Sequence, residues 1–419
     1  MDISSVSRDD IDLLDRDRFT KGIPHEWFAW MRANEPVFHH DEPDDGPGFW
    51  VISRHADVVT CNRDAKSLSS DSDNGGVLDL EERELSEFEK NQGDAKIMLM
   101  MDPPEHTRHR KLVNRGFTPR MIGLLEPHVR ELTSKIIDEA IAAGDGSGVC
   151  DFVVDVAAEL PLEVIAELIG VPQEDRHKIF EWSNRFVGSD DPEYFVGEEK
   201  IQEAQIEMFL YAQQLAEARR DDPQDDIITA LLSAEIDGEH LSDMDFNLFF
   251  LLLSVAGNET TRNAISHGMH AFLDHPDQWA LLVEDPVGRI ETATEEILRW
   301  ASPVMYFRRT AMRDLEVGGQ QIREGDKLSL WYISANRDEE VFEDPYRFDI
   351  LRDPNPHIAF GGGGPHFCLG AQLARLEIRV LFEELARRTP DLQRAGAADL
   401  LRSNFIGGIK HLPVALTPA

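Results

Sequence analysis

The pattern of apolar and polar positions changes character along the chain. The first hundred residues hold short strand-like stretches, such as Gly48-Phe49-Trp50-Val51-Ile52, separated by acidic loops. A polar segment from 69 to 94 carries three glycines and many charges and reads as a mobile excursion. From Glu105 to about Trp300 apolar residues recur at helical spacing. Helices are predicted over 122–143, ended by Gly144, and over 159–169, ended by Gly170-Val171-Pro172. The run 248–255, interrupted only by Ser254, has no polar face and predicts a buried helix. Strand-like pieces follow at 308–311, 315–317 and 327–332, then a glycine-rich loop at 361–364 and a long helix over 369–388. No linker or repeat divides the pattern, so the expectation is one large domain over 1–419, mainly α with small β-sheets.

Composition narrows the function. Lys plus Arg number 42 against 79 Asp plus Glu, a formal net charge of −37, a field that repels phosphate backbones and argues against nucleic-acid binding. Three scattered cysteines, Cys61, Cys150 and Cys368, make neither a disulfide framework nor a zinc ribbon. The start, Met1-Asp2-Ile3-Ser4, lacks the apolar core of a signal peptide, and the longest apolar run is too short for an integral membrane segment. A cytoplasmic protein is expected.

The sharpest chemical signal is Phe360-Gly361-Gly362-Gly363-Gly364-Pro365-His366-Phe367-Cys368-Leu369-Gly370. Consecutive glycines let the backbone pass close to something flat and bulky. Cys368 precedes a predicted helix, where free N–H groups and the positive end of the dipole stabilise a thiolate. A thiolate so held suits axial ligation of haem iron; a buried Cys in an ordinary turn is the plainer reading of the loop alone.

The wider sequence decides between them, because it resembles the cytochromes P450 of the soluble bacterial type. Ala256-Gly257-Asn258-Glu259-Thr260-Thr261 is similar to the family's oxygen-activating stretch, and Glu296-Ile297-Leu298-Arg299 to its Glu-x-x-Arg pair. Asn336-Arg337-Asp338 with Phe342, Pro345 and Phe348-Asp349 resembles the segment before the haem loop; in that order the motifs cover roughly 100–410. The resemblance implies the P450 fold, with haem b between the long central helix and the helix after the Cys loop. It implies Cys368 as the iron ligand, with Gly257, Phe360 and Gly370 beside the haem. Phe360 stands eight residues before Cys368 where the family usually has seven, so the loop is one residue longer.

His106 and Arg110, four apart on one helix face, with Arg309 at the start of a strand and His366, are expected to hold haem propionates. Gly257 would leave room for dioxygen, and Thr260 and Glu259 would relay protons, Thr260 positioning water and Glu259 linking to solvent. Glu296 and Arg299 are assigned to structure. Between His106 and Leu125 every charged residue is basic (Arg108, Arg110, Lys111, Arg115 and Arg120), a patch suited to an acidic electron-transfer protein.

By family position the substrate contacts are Ile97, Met98, Leu99, Met100, Leu252, Ala256, Val304, Met305 and Phe405, with further wall from 180–209. Their apolar character implies an apolar small-molecule substrate. The wording of the two motifs is most similar to the branch hydroxylating methyl-branched lipids, terpenoids and sterol side chains. The resemblance therefore implies a monooxygenase using dioxygen and two electrons from NAD(P)H through ferredoxin reductase and ferredoxin. A peroxide-dependent peroxygenase and a haem-binding sensor without turnover are the alternatives, and the Glu259-Thr260 pair opposes both.

Overall fold

The computed structural model describes residues 3–81, 95–114, 117–143, 148–187, 190–224, 226–236 and 239–417. Arg115 of the basic patch, Gly144 and residues 82–94 of the polar segment lie outside these.

Helices dominate, as expected. The principal ones are α1 (His25–Asn34), α2 (His55–Arg63), α3 (Glu105–Val113), α4 (Pro119–Leu124), α5 (Glu126–Ala143) and α6 (Glu159–Leu168). They continue with α7 (Arg176–Val187), α8 (Glu198–Asp221), α9 (Asp243–Asp274), α10 (Pro276–Glu284), α11 (Pro286–Ala301) and α12 (Ala371–Arg388). The single helix expected over 122–143 is two, α4 and α5. Pro127 explains the break: it has no N–H to donate to the carbonyl of Gly123, and its ring crowds that carbonyl.

The central helix α9 is started by a reciprocal cap. Asp245 N–H donates to Ser242 Oγ (3.0 Å), while Ser242 N–H and O–H donate to the Asp245 carboxylate (3.3 and 2.6 Å). Its 32 residues span about 48 Å at about 1.5 Å per residue, enough to cross the whole helical body. It packs on α6, α7, α8, α11 and α12, which is why its apolar run has no polar face.

The strands that bear on the site are β1 (Val37–His40), β2 (Phe49–Ile52), β3 (Leu68–Ser69), β4 (Val149–Asp151), β5 (Tyr306–Ala311), β6 (Lys327–Trp331), β7 (Ile409–His411) and β8 (Pro413–Ala415). One five-stranded sheet has the order β1-β2-β6-β5-β3, all neighbours antiparallel except β2 and β6. Leu328 of β6 lies opposite Arg309 on one side and Trp50 on the other. A second core of Phe28, Phe49, Met305, Tyr306 and Trp331 fills the space between this sheet and α1. β8 pairs antiparallel with β4, tying the C-terminal end to the helical body.

Candidate functional site

Between α9 and α12 lies a cavity of about 1440 Å³, including its open mouth, lined mostly by apolar side chains. Cys368 and Leu369 form its floor together with Gly370, Leu373 and Ala374 from the start of α12. Leu252, Ala256, Gly257, Thr260 and Thr261 of α9 form the opposite wall, and Phe307 and Arg309 of β5 close one end.

The Cys loop is set by α2. Gly361, Gly363 and Gly364 have φ of +91°, +91° and +83°, a region that disfavours side chains. A Cβ on Gly362 would stand 2.8 Å from the Val59 Cα, and one on Gly364 2.4 Å from the Asn62 carbonyl oxygen. A Cβ on Gly363 would meet Arg63 Nε at 3.1 Å, so three of the four glycines lie against α2. Arg63 Nε donates to the Gly362 carbonyl (3.0 Å), and Cys368 N–H donates to the Phe360 carbonyl (3.0 Å), closing the turn. Despite the longer loop, Phe360 lines the cavity, with the Arg375 guanidinium 4.6 Å over its ring. Burial pushes the Cys368 thiol up; the N–H groups of Gly370 and Ala371 and the cations Arg110 and Arg375 pull against it.

His106, Arg110, Arg309 and His366 are brought together at the cavity wall. The two imidazole rings lie 4.2 Å apart. Burial and the cation Arg110 hold His106 down at about 4; burial, Arg309, His106 and Arg110 hold His366 at about 2. His106 Nδ1 and His366 Nε2 are buried without a hydrogen-bond partner. Arg110 donates to the Phe367 carbonyl (2.6 Å) and so braces the residue before Cys368. Arg309 sits in the middle of β5 rather than at its start; strand alternation turns Phe307 and Arg309 to the cavity and Arg308 away, onto the Asp79 carbonyl.

On α9, Thr260 lines the cavity and its hydroxyl donates back to the Ala256 carbonyl (2.8 Å), leaving the oxygen free to accept. Glu259 is not in the wall. It is buried behind it, where Oε1 accepts from Arg262 Nη2 and from Asn263 Nδ2 (2.9 Å). Gly257 faces the cavity and also meets α6: a Cβ there would lie 2.9 Å from the Ile165 side chain, which would have to shift to admit it.

Of the expected substrate contacts, Met98, Leu99, Leu252, Ala256 and Val304 line the cavity and Ile97, Met100, Met305 and Phe405 do not. Met305 follows Val304 in an extended segment, so it points the other way, into the second core, where Phe405 packs 5.4 Å from Tyr306. Ile97 and Met100 flank the turn that aims Met98 and Leu99 inward. No described residue of 180–209 reaches the cavity. Sequence reading missed Asn62, Phe117, Phe307 and Tyr332. Asn62 comes from α2 and accepts from Tyr332 (3.1 Å), a meeting of segments 270 positions apart that no local pattern reveals.

Glu296 and Arg299 are both wholly buried and joined by two 2.8 Å hydrogen bonds. Arg299 also donates to the carbonyls of Asn336 and Pro345 (2.9 Å each), fixing the segment before the Cys loop. Arg108, Lys111 and Arg120 are exposed, on α3 and α4. Among the described residues no helix is long and apolar enough to cross a membrane.

Comparison with known proteins agrees with this geometry. The cytochrome P450 family pattern matches residues 290–388. A steroid C26-monooxygenase of Mycolicibacterium smegmatis is 46% identical over 415 residues, 98% of this chain and 94% of the relative. A methyl-branched lipid omega-hydroxylase of Mycobacterium bovis is 43% identical over 392 residues, 92% of this chain and 90% of the relative. A Mycobacterium marinum cytochrome P450 solved in complex with pseudoionone superposes with a TM-score of 0.89 at 41% identity, covering 98% of this chain and all of that one. With relatives this similar over nearly its whole length, and a cysteine loop facing a long helix across an apolar cavity, the chain belongs to the cytochrome P450 family.

Proposed function

We propose that the protein is a haem-thiolate monooxygenase that hydroxylates an apolar substrate, a methyl-branched lipid, terpenoid or steroid side chain. The observation that carries the reading is the cavity: Cys368 at its floor, Thr260 and Ala256 across from it, and an apolar wall of Met98, Leu99, Leu252 and Val304.

The donor set fits a haem b. Cys368 supplies a sulfur among backbone N–H groups and open to the cavity, and a bound iron cation would tip the thiol to thiolate. The unpartnered imidazole nitrogens of His106 and His366, beside Arg110 and Arg309, suit two carboxylates in need of donors. A bound haem supplies dioxygen activation by two electrons, one oxygen atom going to substrate and the other to water.

The chain's own residues do the rest. The apolar wall excludes bulk water and orients a hydrocarbon chain by shape. Thr260, its proton committed to Ala256, accepts a hydrogen bond from water and so holds it at the cavity wall. Glu259, the adjacent carboxylate, takes up protons for that water. Arg108, Lys111 and Arg120 offer positive charge on the cysteine side, which supports docking of an acidic ferredoxin fed by a ferredoxin reductase and NAD(P)H. The reading places the protein in the cytoplasm.

The test is the ferric absorption spectrum of the purified protein, titrated with branched fatty acids, terpenoids and sterols. A low-spin to high-spin shift with one class identifies the substrate class. Cys368→Ala abolishes the thiolate spectrum, and its persistence sinks the reading.

A further inference from the structure

Arg337, in the segment before the Cys loop, carries a buried charge that no carboxylate answers. The residue is 2% exposed; Nη2 donates to the Trp300 carbonyl (2.8 Å), while Nε and Nη1 have no hydrogen-bond partner among the described residues. The neighbouring carboxylates are committed elsewhere. Glu339 takes Arg32 through two 2.9 Å bonds, and Glu296 is shared by Arg299 and Arg352. The face of the Trp300 ring, 4.8 Å from the guanidinium, offsets only part of the charge. Burial and Arg299 push the Arg337 guanidinium down to about 9, so at neutral pH it keeps its proton. A buried cation in that position needs a counter-charge. His25, the first residue of α1, looks onto the same place. Its Nδ1 is buried and unpartnered, and the groups that act on it most strongly are all bases: Arg337, Arg32, His267 and Arg299. Tyr346, whose ring lies 6.1 Å from that of His25, supplies no negative charge; burial pushes its phenol up, and its oxygen accepts from Arg32 (2.6 Å). In a chain of net charge −37 an interior spot this positive is the exception.

We infer that Arg337 and His25 bind a small monovalent anion, chloride, in the interior between α1 and α11. The free N–H groups of Arg337 and the Nδ1–H of His25 are its donors. A water molecule there would accept the same hydrogen bonds but leave the positive charge standing. The ion has to be small, because Arg32, Arg299 and Arg337 are each no more than 3% exposed and leave no open mouth for an oxyanion with bulk attached. Its role is structural and separate from the oxidation proposed above. Asn336, beside Arg337, accepts from the Ile358 N–H (2.7 Å) and donates to Ser302 (2.8 Å). An anion that fixes Arg337 therefore steadies the stretch leading into the Cys loop and ties it to the N-terminal helix α1.

Two measurements on the holoprotein test this. Crystals grown in sodium bromide should give an anomalous peak within hydrogen-bond distance of Arg337 and of His25 Nδ1; water alone at that place overturns the inference. The second is the urea midpoint as chloride replaces gluconate, an anion too large for the site, at constant ionic strength. Equal ionic strength keeps the screening of the −37 charge the same in both salts. An anion bound only by the folded protein raises the midpoint as its concentration rises. His25→Phe, which keeps a ring and removes the donor, should need at least about tenfold more chloride for the same rise. Arg337→Met should abolish the rise. If Arg337→Met does not fold, His25→Phe and the bromide crystal carry the test. A midpoint indifferent to chloride, or a rise that His25→Phe leaves unchanged, overturns the site.

Discussion

Two buried glutamate–arginine pairs, each three residues apart on a helix, differ in how fully they are satisfied. In Glu296–Arg299 both carboxylate oxygens are saturated: Oε1 accepts from Arg299 and the Asp349 N–H, Oε2 from Arg299, Arg352 and Asn355. In Glu259–Arg262 one carboxylate oxygen and one guanidinium nitrogen have no partner. A saturated pair has nowhere to go, and its neighbours are the segments it fixes. An unsaturated pair has unused capacity, and it lies one residue from the cavity wall. The same sequence spacing thus gives a fully bonded pair in one helix and a partly bonded one in the other.

The comparison breaks if the two pairs cost the same to open. Arg299→Ala leaves the buried Glu296 carboxylate with Arg352 as its remaining cation and strips the Asn336 and Pro345 carbonyls of their donor, and should destabilise the protein by about 3–5 kcal/mol, read from the urea midpoint. Arg262→Met should cost less than about 3 kcal/mol, because Asn263 still donates to Glu259 and no other segment hangs on the pair's carboxylate. Equal losses would place both pairs in the same structural class.

Thr260→Ala sharpens it from the functional side. The hydroxyl is bonded only to its own helix, so stability should change by no more than about 1 kcal/mol while NAD(P)H use uncouples from product and peroxide accumulates. Unchanged coupling would remove Thr260 from the relay.

The smallest effect concerns Glu295, beside the saturated pair. Burial opposes its charge, but hydrogen bonds from His357 (2.9 Å) and Arg375 (2.6 and 2.9 Å) outweigh that and hold its carboxyl at about 2 against an ordinary 4.5. A depressed carboxyl stabilises the fold above its unfolded value and loses that contribution as pH falls toward its folded one. Glu295→Gln should therefore flatten part of the stability loss between pH 4.5 and about 2, seen in urea unfolding across that window. An identical pH profile would mean the Arg375 contact contributes nothing.

What was legible in the sequence was local. The Cys loop, the α9 stretch and the Glu296–Arg299 pair each lie within a dozen residues, so residue type and spacing identify them, and helix periods located most of the body. What was not legible needed distant segments to meet. Met305 was expected in the wall on the strength of its apolar chain, but Val304 takes that side. Gly257 reads as room beside the site and does line the cavity, but that it also meets Ile165 of α6 needs the packing of a second helix to be seen. Glu259 is expected to link to solvent, whereas the structure buries it against Arg262, which Asn184 of α7, a residue 78 positions away, holds in place.

The clasp between α2 and the glycine loop bears on how the chain assembles. Residues 59–63 leave the ribosome early, while 362–364 follow some 300 positions later, and neither surface is complete without the other. Contacts of such separation in sequence form late and slow folding. The cysteine is thus set in its working geometry only when two parts of the chain some 299 positions apart close on each other, so its loop cannot take that shape from its own residues alone.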